Sequence, residues 1–199
     1  SEEAAAKSLS DAEHAVAAAE DDIQIATKDR IEQARIAMQS GDSNLAKGLA
    51  DSVLRDVRST SDAMQKVQRA LRQRNQIEDR FPAGAKPEWE ARLDQIAAMT
   101  DAGEWQDALQ AMGLLTSDLH SHEHKLSEAS ELVRFVDEEW KSLRRRLDSA
   151  GIGPADPDRM AAEKAVSEAS IALEQGDIDS CHKALGEASE MLESQGRRV

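Results

Sequence analysis

The stretch EWQDALQAMGLLTSDLHSHEHKLSEASELVRFVDEEWKSLRRRLDSA, residues 104–150, decides the fold class. A seam of Trp105, Ala108, Met112, Leu115, Leu119, His122, Leu126, Ala129, Val133, Val136, Trp140, Leu143 and Leu147 runs through it in steps alternating three and four. That spacing places every seam residue on one side of a single long helix. A second stripe of Leu114, Leu132 and Phe135 widens the apolar face. A face wider than two columns is expected to pack against two neighbours.

On either side of this helix the prolines act as punctuation. They occur only at 82, 87, 154 and 157, in the clusters Phe81–Pro87 and Gly151–Pro157. Proline removes a donor and clashes with the preceding turn, so these clusters divide the chain into 1–80, 81–150 and 151–199. Each segment carries one glycine followed by an acid: Gly41-Asp42, Gly103-Glu104 and Gly176-Asp177. Glycine closes a helix in the left-handed conformation, and Asp is a good N-cap for the next one. Glu104 is a poorer cap. Three antiparallel helical hairpins are therefore predicted. The C-terminal pair, carrying Val166, Ala169, Leu173, Ile178, Cys181, Leu185, Ala188 and Leu192, is expected to cover the long helix.

In the first segment a heptad seam runs Ala46, Ala50, Val53, Val57, Thr60, Met64, Val67, Leu71. Its partner reads Ala5, Leu9, Ala12, Val16, Ala19, Ile23 and, after a phase slip, Ile31, Ala34, Met38. Folding about Gly41 pairs residues whose numbers sum to about 83, so Val16 is expected beside Val67 and Ala34 beside Leu49. Charge favours the same pairing: ten acids and four bases over 1–42, five acids and eight bases over 43–80. The arm would be about 55–60 Å long at the α-helical rise. All five aromatic residues lie between Phe81 and Trp140, so the arm is expected to be the thinner, less stable part.

Composition removes several classes of function. The formal net charge is −14, and aromatic residues make up 3% with no Tyr, which argues against a sheet protein and against a nucleic-acid binder. No run of 18 apolar residues is present, so no membrane insertion is expected. The single cysteine, Cys181, excludes an internal disulfide and reads as a small buried hydrophobe. No phosphate-binding glycine loop or hydrolase nucleophile motif occurs. The chain opens on Ser1, which suggests a piece cut from something longer. The compartment is left open, with the cytoplasm favoured.

These hairpins, seams and Gly-acid turns resemble those of spectrin-like and other tandem helical-hairpin coiled-coil proteins, including the cytoplasmic rods of bacterial division regulators. The resemblance implies a spacer or scaffold, with no site residue to transfer. The expected class is an all-α, elongated coiled-coil or spectrin-like bundle. Its expected function is non-catalytic: helix faces presented to protein partners, a second copy among them, with no catalytic residue, no cofactor and no nucleic acid.

The alternatives concern metal, pH and a membrane-anchored parent. His120, Glu123 and His124 match the H-x-x-E-H spacing of inverted zinc peptidases, and His120 and His124 share a face. The expected reading is nevertheless a solvated helix surface with no bound metal. His122 points to the other side, as a polar seam residue or a pH-responsive group. Arg144-Arg145-Arg146 is expected to interact with its own helix end, and Glu20-Asp21-Asp22 to be a solvated face. Trp89 and Trp105 are expected to anchor the hairpin at Gly103. A third reading is the rod region of a membrane-anchored protein.

Overall fold

The computed structural model describes residues 1–199. It contains α1 (Glu2–Ala17), α2 (Asp21–Gln39), α3 (Ser43–Arg72), α4 (Arg74–Glu78), α5 (Lys86–Asp101), α6 (Trp105–Ser149), α7 (Pro157–Glu174) and α8 (Ile178–Gly196), with a 3₁₀ turn at Ala83–Ala85 and no strand. The protein is all-α, and no helix is long and apolar enough to cross a membrane. The chain forms two compact units, Ser1–Arg74 with Leu93–Gly113, and Asn75–Arg92 with Leu114–Val199. The 81–150 segment contributes to both.

The first unit corrects the reading of 1–42 as one arm of a hairpin. The chain breaks at Ala18–Glu20, and α1 folds back to pack on both α2 and α3. Ala5 is buried with Ala37 and Ala46, and Ala12 with Ala50 and Val53. Because α1 runs parallel to α3, the expected pairing of Val16 with Val67 does not form. Val16 packs instead in the cluster that holds Val57. The sum near 83 survives for α2 against α3, where Arg30 bonds Ser52 at 3.0 Å and Asp56 at 2.6 Å.

The break falls at the run Glu20-Asp21-Asp22, which is solvent-exposed as expected and also starts α2. Glu20 is the N-cap residue of α2, and Asp21 and Asp22 fill its first turn, where negative charge is favoured by the helix dipole. Gln24 then reaches back and donates its side-chain amide to the carbonyl of Ala19 at 3.0 Å, closing the α1 end. The phase slip is Thr27, which is buried and donates its hydroxyl to the carbonyl of Ile23 at 2.7 Å. A polar residue therefore sits in the seam without leaving an orphan donor. On α3 all eight seam positions are buried or half-buried: Ala46, Ala50, Val53, Val57 and Val67 are buried, Thr60, Met64 and Leu71 half-buried, and Ala63 is buried beside them.

The second unit is richer in large side chains. Val133, Val136, Trp140, Leu143 and Leu147 of α6 are buried with Ala162, Val166 and Ala169 of α7 and Cys181, Leu185 and Leu192 of α8. The expectation that the C-terminal pair covers this part of α6 is met. The widened stripe is not covered: Leu114, Leu132 and Phe135 are exposed, Phe135 to 64%. Two neighbours do pack on α6, but both use the 129–147 seam. The link from α6 to α7 is fixed by Arg159. It is 4% exposed and donates to Asp148 Oδ1 at 2.5 Å and to the carbonyl of Ile152 at 2.6 Å.

Helix ends follow the glycines. At Gly41, Gly103 and Gly176 φ lies between 71° and 80°, and the next residue donates its N–H to the carbonyl five positions back. Asp42 and Asp177 cap the following helices, whereas Glu104 supplies no such bond. Gly103 carries an additional constraint: a Cβ there would overlap the carboxylate of Asp22, while one at Gly41 meets open space. Gly41→Ala should cost about 1–2 kcal/mol for the left-handed backbone alone. Gly103→Ala should cost more, and Asp22→Ala should recover that excess, as read by urea unfolding. Equal costs at the two glycines would refute the steric account.

Asp156 ties the start of α7 to the end of α8. Its carboxylate accepts from Arg198 at 2.7 and 2.9 Å and from the backbone N–H of Arg159 at 2.9 Å. The Arg198 guanidinium first, then that backbone N–H, hold the Asp156 carboxyl well below its usual value. Since the folded value lies below the unfolded one, the contribution is complete above the unfolded pKa, about 3.9, and is lost as pH falls further. Asp156→Asn keeps a good N-cap but loses the ionic bridge. The variant should melt below the wild type at pH 7, and the gap in Tm should close as pH is lowered beneath 4.

Candidate functional site around His122

Within the second unit, three pieces of chain meet near the middle of α6. The first is the proline turn Phe81–Pro82 leading through the 3₁₀ turn into α5. Residue 87 is proline in the first turn of α5, where its missing N–H goes unneeded. This fixes the approach of Trp89 and Arg92, about half a turn and one and a half turns on. The second is α6 from Asp118 to Lys125. The third is the α7–α8 turn, Gln175–Asp179. Together they line an open cavity of about 600 Å³.

Aromatic contacts organise one wall. Phe81 and Trp89 have ring centroids 5.6 Å apart, and Trp89 lies 6.4 Å from His122 with the rings tilted by 57°. The Arg92 guanidinium stands 5.2 Å over the indole and bonds Asp118 at 2.9 Å. Such a cation over an indole face is held by the ring quadrupole. The opposite wall is backbone. A Cβ on Gly176 would stand 3.4 Å from Pro82 Cβ and 3.9 Å from His122 Nε2, so the turn approaches both closely. Asp177 is occupied as the α8 cap, accepting from Ser180 N–H and hydroxyl, the first of whose causes, the Ser180 side chain, lowers its pKa.

Trp89 is therefore not an anchor of the Gly103 hairpin. It belongs with Phe81 and His122. His122 is half-buried at its expected seam position. The other members of the cluster separate. Glu123 pairs with Arg80, whose side chain is the main cause of its lowered pKa. His124 lies 3.0 Å from Glu128 and is exposed, as is His120. No three His, Cys, Asp or Glu side chains converge to hold a metal. Cys181 is buried in the α6–α8 core, and burial raises its thiol pKa, away from the reactive thiolate. Arg144 pairs with Glu163 at 3.6 Å, while Arg145 and Arg146 face outward near Ala150.

The arrangement offers a shallow, mixed-charge recess with an aromatic wall and a half-buried imidazole. Sequence reasoning located His122 but missed Arg80 and Arg92, whose partners lie 43 and 26 positions away. Only the crowding of charge around the histidines hinted at them. No protein-family model matches the chain, and neither a curated protein nor a solved structure is significantly similar to it.

The divergence of these groups generates a metal prediction. After dialysis the protein should retain well under one equivalent of Zn²⁺ by metal analysis. A full equivalent that is lost in His120→Ala would mean that Glu123 leaves Arg80 to coordinate.

Proposed function

We propose that the chain is a non-catalytic scaffold or spacer, a spectrin-like set of antiparallel helical bundles that docks protein partners through helix faces. The observation that carries this reading is the pair Leu132 and Phe135. They are 48% and 64% exposed, one turn apart on the outer face of α6. The seam beneath them is already filled by α7 and α8, so the pair has no packing role within its own unit. Burying two such side chains in a partner is worth about 1.5–3 kcal/mol each. Adjacent exposed apolar residues rimmed by charge mark interaction surfaces more often than isolated ones do.

The remaining features are in keeping with it. The histidine cluster is divided among Arg80, Glu128 and Trp89. The one thiol is buried.

A photoreactive phenylalanine analogue at position 135 should give a discrete crosslinked adduct in cells that express the protein. The same analogue at exposed Arg145 should give none, and Leu132→Glu should abolish the adduct from 135. Because both residues are exposed, Leu132→Glu should alter folding stability by no more than about 0.5 kcal/mol. An adduct that persists in Leu132→Glu, or equal labelling from both positions, would remove the reading.

A further inference from the structure

We propose that the recess at His122 is a binding site for a small zwitterion with an apolar body, the chemistry of an apolar α-amino acid. Leu132 and Phe135 do not line this recess, so the inference goes beyond the scaffold reading and stands or falls apart from it.

The charge of the recess is nearly balanced, and most of it is committed. Three acids, Asp118, Asp177 and Asp179, and two bases, Arg92 and Lys125, line it. Arg92 bonds Asp118 at 2.9 Å, which closes one pair. Asp177 is spent on the α8 cap, accepting from the N–H and hydroxyl of Ser180. Lys125 of α6 and Asp179 of α8 are left without an ion pair or hydrogen bond, to each other or to any other group. Two uncommitted charges of opposite sign favour neither a plain anion nor a plain cation. They favour a molecule that carries both charges.

Pro82, Ala85, Trp89 and Ile178 supply the apolar side of the recess. Trp89 is half-buried, and three neighbours fix it: Phe81 at 5.6 Å, His122 at 6.4 Å and the Arg92 guanidinium at 5.2 Å. A ring already held in place loses little freedom when a ligand packs on its uncovered part. The cavity of about 600 Å³ accommodates an amino acid as large as phenylalanine and falls within the usual size of small-molecule sites.

The two ends of the ligand are assigned by charge. Lys125 takes the carboxylate, because its ammonium carries three donors on a flexible four-carbon stem. His122 has no hydrogen-bond partner in the protein, and its ring N–H is a second donor for the same carboxylate. Asp179 accepts from the ligand's ammonium. Lys125 and Asp179 are both exposed, so each ionic contact changes affinity by only about fivefold. A ligand of this size in an open recess has a dissociation constant of about 1 mM.

Titration of L-phenylalanine into the isotope-labelled full chain tests this, with the indole N–H resonances of the three tryptophans read by NMR. Trp89→Phe identifies the Trp89 signal. That signal should move and saturate, while those of Trp105 and the buried Trp140 stay in place. Phenylethylamine, which lacks the carboxylate, and phenylpropionate, which lacks the ammonium, should each bind about fivefold more weakly. Lys125→Met should abolish the preference for L-phenylalanine over phenylethylamine and keep that over phenylpropionate. Asp179→Asn should do the reverse. Both are exposed changes, and indole positions unchanged in the absence of ligand show that the fold is kept. A Trp89 signal that stays in place up to about 10 mM overturns the proposal. So does joint movement of all three indoles, or an analogue that binds as tightly as L-phenylalanine. A preference that persists in the variant where it should vanish also overturns it. The crosslink at 135 tests the ridge alone, so failure here leaves the scaffold reading standing.

Discussion

Close approach of helices through alanine is the constraint on which both units depend. Ala5, Ala37 and Ala46 meet in one cluster, Ala12 and Ala50 in another, and Ala162, Ala165, Ala169, Ala184 and Ala188 line the α7–α8 contact. A methyl group lets helix axes come near each other, but it buries little area. The second unit compensates with Trp140, Leu143, Leu147, Leu185 and Leu192. Around α1 there is no such compensation, and Ile23, Ile31, Val53 and Val57 are the largest side chains in that core. The α1 end is thus held by a shallow core, by the Gln24 cap and by the crossing of α1 over both neighbours.

Where side-chain volume is small, the ends of helices decide the topology. Gly41 and Gly176 return the chain upon itself, and Asp42 and Asp177 start the next helix at once. At the α6–α7 link the same work is spread over more groups. Gly151 takes positive φ, Ile152 donates to the carbonyl of Leu147 at 2.9 Å, and Arg159 holds Asp148 and Ile152 together from beneath. The buried guanidinium is partly satisfied there: one terminal nitrogen bonds both a carboxylate and a carbonyl, while its Nε is buried without a partner.

Much of this was legible before any coordinates. The α6 seam reads off its 3/4 spacing, and all thirteen of its positions are buried or half-buried. The Gly-acid turns and the proline breaks fall where helix ends fall. The α1–α2 turn was not legible because it contains neither glycine nor proline. Its signal was electrostatic: three consecutive acids, Glu20 to Asp22, form the solvated face that was expected and also start a helix, and heptad continuity hid the second role. At the recess, a histidine in an apolar seam was visible as His122. Its neighbours Trp89, Arg92 and Gly176 come from elements whose meeting depends on how the proline turn and the α7–α8 turn pack, which periodicity does not encode.

The second stripe shows what periodicity does and does not say. Leu114, Leu132 and Phe135 are placed on one face by spacing, and that placement holds. Spacing carries no information on whether a neighbour exists. Helix α6 has two neighbours over 129–147, yet α7 and α8 share the seam instead of dividing seam and stripe between them. They do so because Ala162, Ala165 and Ala169 let α7 lie close enough to reach the same column that α8 occupies. Alanine packing therefore both closes the bundle and leaves Phe135 outside it. The residue that the fold does not need is the one surrounded by the densest acidic charge on the helix, Glu128 through Glu139.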